Sequence, residues 1–361
     1  MSRFAIDLYR QLARQPGSLF FSPYSISAAL ALARAGARGQ TAVELDRASP
    51  ETDDDERPLA QRLRPRGVRG APPYELSMAS ALWVQEGLAL LPEFTSAPGV
   101  RFSLERVDFQ QAEEARRRIN DWAASSTRQR VRDVVPPGRP APDTRLALVN
   151  GVYFKALWND PFQPGLTVDG PFHAPGGEVT LRFMRREGEL PYADDGEAQL
   201  LSLPYVGGET SLLVALPTRR DGLAALERGL THARVEAWTR ALKERTVDVQ
   251  LPRFQFTHAF DAVEDLAELG IRLPFSSGAD FSGMVATEPL RLGAVLHRAF
   301  VAVDERGTEA AATTTVEWAS IGAKERQVPV RFVADHPFLF LIRHEATGCV
   351  LFMGRMTGRT R

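Results

Sequence analysis

Asp304-Glu305-Arg306-Gly307-Thr308-Glu309-Ala310-Ala311-Ala312-Thr313-Thr314-Thr315-Val316-Glu317-Trp318-Ala319 contains neither glycine nor proline after Gly307. Strand side chains alternate between faces. One face would carry Thr308, Ala310, Ala312, Thr314, Val316 and Trp318. The other would carry both glutamates, Glu309 and Glu317, and could meet water. Three alanines and three threonines make a poor permanent core. Small residues suit a segment that must slide between strands already in place. Read by itself, the run also fits an ordinary exposed edge strand or linker.

Other stretches decide between these readings. Early in the chain stands Phe20-Phe21-Ser22-Pro23-Tyr24-Ser25-Ile26. The middle holds Leu148-Val149-Asn150-Gly151-Val152-Tyr153-Phe154-Lys155-Ala156-Leu157-Trp158. His336-Pro337-Phe338-Leu339-Phe340 and Leu351-Phe352-Met353-Gly354-Arg355 follow the quoted run. Each is a short motif of low specificity. In this order and spacing the set resembles the serpins, the family of serine-protease inhibitors, in their prokaryotic inhibitory form. The resemblance runs nearly end to end and implies one α+β domain over residues 1–361. That domain would have three β-sheets, eight or nine helices and an exposed reactive-centre loop at about 305–330.

Composition is compatible with that. A chain of 361 residues, 44% hydrophobic, can bury a large core. The net charge of −1 gives no general reason to expect nucleic acid or an anionic membrane. Lysine occurs only at Lys155, Lys243 and Lys324, an arginine bias that fits genome composition better than function. The single cysteine, Cys349, excludes an intrachain disulfide and reads as a small buried residue. There is no run of 18 apolar residues, and so no expected membrane span. Residues 1–10 read as an amphipathic helix, not as a signal peptide. That fits a cytoplasmic protein, or a secreted one whose leader has been removed.

Local signals place several elements. Ser22-Pro23 is a good helix start, and the apolar run behind it stops at Gly36. Residues 49–73 are charged and rich in proline and glycine, including Asp53-Asp54-Asp55-Glu56, and read as a solvated loop around at most a short helix. Some serpins carry a sugar-binding helix there; this stretch does not support one, and no cofactor is expected. Arg116-Arg117-Arg118 reads as a solvated turn of a helix over about 111–126. Leu146 to Lys155 is a nearly continuous apolar run, as in a strand covered on both faces. Leu200–Tyr205 with Leu212–Leu216, and Phe338–Ile342 with Val350–Met353, read as hairpins.

No catalytic constellation is visible. The chain lacks Gly-x-Ser-x-Gly, Ser-x-x-Lys, a Walker loop and Gly-x-Gly-x-x-Gly. Its six histidines are scattered, and one cysteine cannot build the usual structural zinc site. Neither an enzyme nor a metal protein is expected.

The resemblance implies roles residue by residue. Glu305, Gly307, Thr308, Glu309, Ala310, Ala311 and Ala312 match the hinge. Ser22, Ser25, Asn150 and His297 match the polar shutter cluster, and Trp158 the tryptophan at the upper breach. Arg253 matches a basic residue that pairs with the hinge glutamate, here Glu305. A serpin is cut by its target, which forms an acyl-enzyme. The freed loop, here 308–319, then enters the main sheet as a new strand. In the intact chain the loop is expected to stand outside that sheet from Thr308 onward. Counting from the hinge puts the cut at Ile321-Gly322 and suits an elastase-like or subtilisin-like enzyme. Counting back from Phe332 moves it to Lys324-Glu325 and suits a trypsin-like one. A cysteine protease is also compatible, and the protein is expected to be a monomer. The rival reading is a non-inhibitory serpin acting as chaperone, carrier or storage protein.

Overall fold

Helices α1 (Arg3–Leu12), α2 (Pro23–Gly36) and α3 (Gly39–Asp46) open the chain around a short strand, β1 (Leu19–Phe21). Next come α4 (Leu59–Arg62), β2 (Tyr74–Gln85), α5 (Pro92–Thr95), β3 (Leu104–Val107), α6 (Ala112–Ser126) and β4 (Leu146–Leu157). Strands β5 (Val168–Ala174), β6 (Gly177–Asp194), β7 (Ala198–Pro204) and β8 (Thr210–Pro217) lead to helices α7 (Leu223–Arg228) and α8 (His232–Ala241). Strands β9 (Lys243–Pro252) and β10 (Phe254–Asp261), helix α9 (Val263–Glu268), then β11 (Leu292–Asp304) and β12 (Gly307–Thr308) follow. The chain closes with β13 (Val330–Val333), β14 (Phe338–His344) and β15 (Val350–Met356). This is a computed structural model, and it describes residues 3–48, 59–65, 74–97, 103–308 and 328–358.

Local chemistry explains many of these elements. The Ser22 side chain caps α2 by accepting from the Ser25 N–H, and Pro23 takes the first helical turn. In α1, Phe4, Ile6, Leu8, Tyr9 and Leu12 are buried. All nine residues from Leu146 to Phe154 are buried, so β4 is covered on both faces. Both expected hairpins form, as β7–β8 and β14–β15. Cys349 is half-buried, and burial pushes its thiol up to about 12, which disfavours the thiolate.

Among the described residues the strands form two hydrogen-bonded networks. Nine strands run β1-β15-β14-β8-β7-β6-β9-β13, with β5 also on β6. The 18-residue β6 joins two halves of this network, so two of the three expected sheets are linked through one strand. The other network runs β10-β11-β12-β4-β2-β3. Its lower outer face lies under α6, where Ala147, Val149, Ala294 and Leu296 pack with Ala115, Ile119 and Ala123. Its inner face packs on α2 and on the nine-stranded network.

Candidate functional site

The seam between β4 and β11 is the site. The two strands pair in parallel from Leu292↔Leu146 to Phe300↔Tyr153, then part. Into the gap comes β12, antiparallel to both: Thr308 lies opposite Val303 on one side and Ala156 on the other. The structure thus corrects the expectation that the loop stands outside the sheet from Thr308 onward. Gly307 and Thr308 already form a two-residue wedge, and Thr308 is fully buried. A parallel pair forced apart at one end leaves backbone groups that need partners, and β12 supplies them.

Several contacts lock the wedge. The turn before it closes on Asp304, whose Oδ1 accepts from the N–H groups of Arg306 at 2.8 Å and Gly307 at 3.2 Å. A Cβ on Gly307 would stand 2.0 Å from the Ala156 carbonyl oxygen, so only glycine fits. Trp158 donates its backbone N–H to Arg306 O at 2.8 Å and its indole N–H to Asp304 O at 2.9 Å. Its ring stacks on Tyr205 at 4.6 Å, and the Tyr205 hydroxyl lies 2.6 Å from Thr308 Oγ1. Glu305, 3% exposed, accepts from Thr167 Oγ1 at 2.5 Å and pairs with Arg253. Burial works to raise the Glu305 carboxyl, but hydrogen bonds from Arg253 and Thr167 outweigh it and hold it low.

A second cluster spans the seam lower down. His297 and Asn150 are register partners, and His297 Nδ1 lies 2.6 Å from Asn150 Oδ1. His297 Nε2 accepts from the Ser22 N–H at 3.2 Å, which assigns the ring proton to Nδ1 as donor to Asn150. Asn150 Nδ2 donates to Ser25 Oγ and Ser80 Oγ, both at 2.5 Å. Ser22 Oγ donates to Leu351 O at 2.6 Å. The start of α2 is thereby tied beneath the two strands that would have to separate.

The structure thus brings Ser22, Ser25, Asn150 and His297 into one network. Trp158, Arg253, Glu305, Gly307 and Thr308 fall in another. Glu309, Ala310, Ala311, Ala312, Ile321, Gly322, Lys324 and Glu325 lie outside the described residues. Sequence reading missed Tyr205, Thr167 and Ser80. Only Tyr205 carried a signal, as the aromatic residue closing a hairpin strand ahead of Gly207-Gly208.

Burial, reinforced by the nearby His258, pushes His297 down from about 6.5 to about 3. The unfolded chain therefore binds the extra proton first. This stability is fully present above about pH 6.5 and is lost as pH falls toward 3. Between pH 7.5 and 4.5 the loss should reach about 2.5 kcal/mol. Melting of the intact chain over that range should show it. His297→Gln should remove about half of the total dependence, leaving a comparable share from His258, itself depressed to about 4 by burial. An equally steep pH dependence in the variant would count against this assignment.

The family model described as Serpin (serine protease inhibitor) matches residues 1–358. An uncharacterized serpin-like protein of Thermococcus kodakarensis is 38% identical over 364 residues, 99% of this chain and 84% of that one. The leukocyte elastase inhibitor of Bos taurus is 37% identical over 372 residues, covering 99% and 97%. The crystal structure of uncleaved ovalbumin superposes with a TM-score of 0.86 at 30% identity, covering 99% of this chain and 98% of that one.

Proposed function

This chain belongs to the serpin family, and from that premise we propose that it is an irreversible suicide-substrate inhibitor of a serine protease. The target cuts the loop, remains attached as an acyl-enzyme, and is carried along as residues 308–319 enter the seam between β4 and β11.

One observation carries this reading: the wedge is already in register with both strands. Six residues beyond Thr308 is Thr314. Six residues back along β11 from Val303 is His297, and six back along β4 from Ala156 is Asn150. His297 and Asn150 are themselves partners, so the two counts agree and a continued strand would need no slip. Thr314 would arrive at the polar cluster and replace the His297–Asn150 bond with its own hydroxyl. Ala310 would pass between Val301 and Phe154, Ala312 between Ala299 and Val152, and Val316 between Val295 and Leu148. All six flanking side chains are buried. Small residues meet the crowded upper part, and the larger Val316 and Trp318 enter last.

The same register supports Ile321-Gly322 as the cut. Trp318 would draw level with Gly293 of β11, where the β4–β11 register is irregular, and with Leu146, the first residue of β4. Only Ala319 and Ser320 would then separate the filled sheet from Ile321, which keeps the tether to the protease short. A cut after Lys324 would add three residues of slack.

The test is incubation with elastase-like, subtilisin-like and trypsin-like serine proteases and a cysteine protease, followed by denaturing gels and mass spectrometry. The expected result is a detergent-stable complex with an elastase- or subtilisin-like enzyme and a released peptide beginning at Gly322. A peptide beginning at Glu325 moves the site to Lys324. Clean cleavage by every enzyme would favour the non-inhibitory alternative, a carrier, chaperone or storage role.

A further inference from the structure

Two loops meet at the base of the seam. One runs from Arg139 to Arg145 and leads into β4; the other ends in Arg291, just before β11. Between them lies a cleft of about 340 Å³ lined by Arg139, Asp143, Thr144, Arg145, Arg291 and Gly293. A space of that size suits a small ligand. A bulge shapes it. The β4–β11 register shifts between Leu292 and Ala294, so Gly293 is the extra residue on its strand. A Cβ on Gly293 would stand 3.1 Å from Thr144 Cγ2 and 3.3 Å from the Leu146 carbonyl oxygen, a tight fit that favours glycine.

Positive charge is in excess in this cleft. Asp143 lies 3.4 Å from Arg291, and Asp261, outside the lining, lies 3.8 Å from Arg139. The arginines of both pairs are exposed, and such pairs contribute little. Arg145 is half-buried and forms no ion pair among the described residues. Its Nη1 donates to the Thr144 carbonyl at 3.3 Å. Asp108 feels the Arg145 charge only as the weakest of several influences. Three guanidinium groups therefore meet two carboxylates, and Arg145 is left without one.

We propose that the cleft binds a compact phosphate-bearing anion of diphosphate size, held by Arg145 and Arg291 with Arg139 supplying a third charge. Guanidinium forks match phosphate oxygens two at a time, and a diphosphate can engage more than one fork at once. Position gives the anion a consequence. Arg145 immediately precedes Leu146 and Arg291 immediately precedes Leu292, and those two leucines are the first register pair of the seam. An anion on both arginines ties the starts of β4 and β11 together. It binds the closed seam better than an opened one, and a ligand shifts an equilibrium by that difference. The bound anion is thus a brake on opening. The brake rests on the insertion mechanism proposed above; the binding site does not.

The test titrates inorganic pyrophosphate into the intact chain at constant ionic strength, read by calorimetry and by melting temperature. The expected result is one site per chain, a saturable rise in melting temperature, and affinity that falls as salt is added. Arg145→Gln breaks no ion pair among the described residues, so without pyrophosphate it should melt like the wild type. It should bind pyrophosphate about tenfold more weakly, the loss of one charged hydrogen-bonding group. Asp143→Asn should bind more tightly, because it removes a like charge and frees Arg291. Should Arg145→Gln fold poorly, Arg291→Gln serves in its place. No binding by the wild type, or binding that none of these substitutions moves, overturns the site. The second readout is the rate of covalent complex formation with the target protease. Saturating pyrophosphate should slow it severalfold in the wild type and not in Arg145→Gln. An unchanged wild-type rate overturns the brake. If no protease gives a complex, the insertion mechanism fails, and the calorimetric titration still decides the site.

Discussion

Cleavage confined to residues 309–327 should raise the melting temperature of this protein, on the order of 20 °C. The intact chain keeps β4 and β11 paired in parallel while a two-residue wedge holds their upper ends apart. With both ends of the loop tethered, by Asp304 at the turn and by β13 at Val330, the wedge cannot lengthen. Cutting removes the second tether. Residues 309–318 can then pair with a strand on either side, antiparallel to both, and satisfy two ladders of backbone groups. Val316 and Trp318 would each bury apolar surface worth about 2 kcal/mol. The new strand would also have to break the His297–Asn150 bond. A nick in an ordinary surface loop would leave melting unchanged or lower it. Thermal melts before and after limited proteolysis, with Trp318 fluorescence as the local reporter, check this. An unchanged or lower melting temperature would sink insertion as the mechanism.

Thr308→Arg should abolish the covalent complex and turn the protein into a substrate that its target simply cuts. It should also destabilise the intact chain. Thr308 is fully buried, its hydroxyl 2.6 Å from that of Tyr205, with Val303 and Ala156 as its strand partners. A guanidinium there would have no carboxylate partner among apolar neighbours and an aromatic ring, at a cost of about 3 kcal/mol or more. The hinge would leave the sheet, losing the wedge, and the intact melting temperature should fall by several degrees. Thr308→Ser keeps the hydroxyl and should retain inhibition. Gel-based complex yield and intact-chain melting measure both effects. Full inhibition by Thr308→Arg would mean the loop works without entering the seam, and unchanged intact melting would mean the wedge contributes nothing.

Much of the fold was legible in the sequence because its signals are local. A serine before a proline starts a helix whatever lies elsewhere, and Ser22-Pro23 did so. An unbroken apolar run implies cover on both faces, and β4 has it. The composition of the hinge, small and uncharged on one face, was visible for the same reason.

Tertiary structure decided what depends on partners far along the chain. His297 and Asn150 stand 147 positions apart, and no local pattern announces that they face each other. Parallel pairing of β11 with β4 is set by burial on both sides of the sheet, since a slip of one residue would turn every side chain to the wrong face. That pairing, in turn, fixes where the strands part and how far Gly307 and Thr308 can enter. Tyr205, Thr167 and Ser80 joined the site only because folding carried them there. Sequence alone thus determined which segment is fit to insert, since side-chain size and charge are properties of the residues themselves. Only the folded sheet decided where Gly307 and Thr308 enter between β4 and β11 and in what register, because both follow from hydrogen bonds and packing between distant strands.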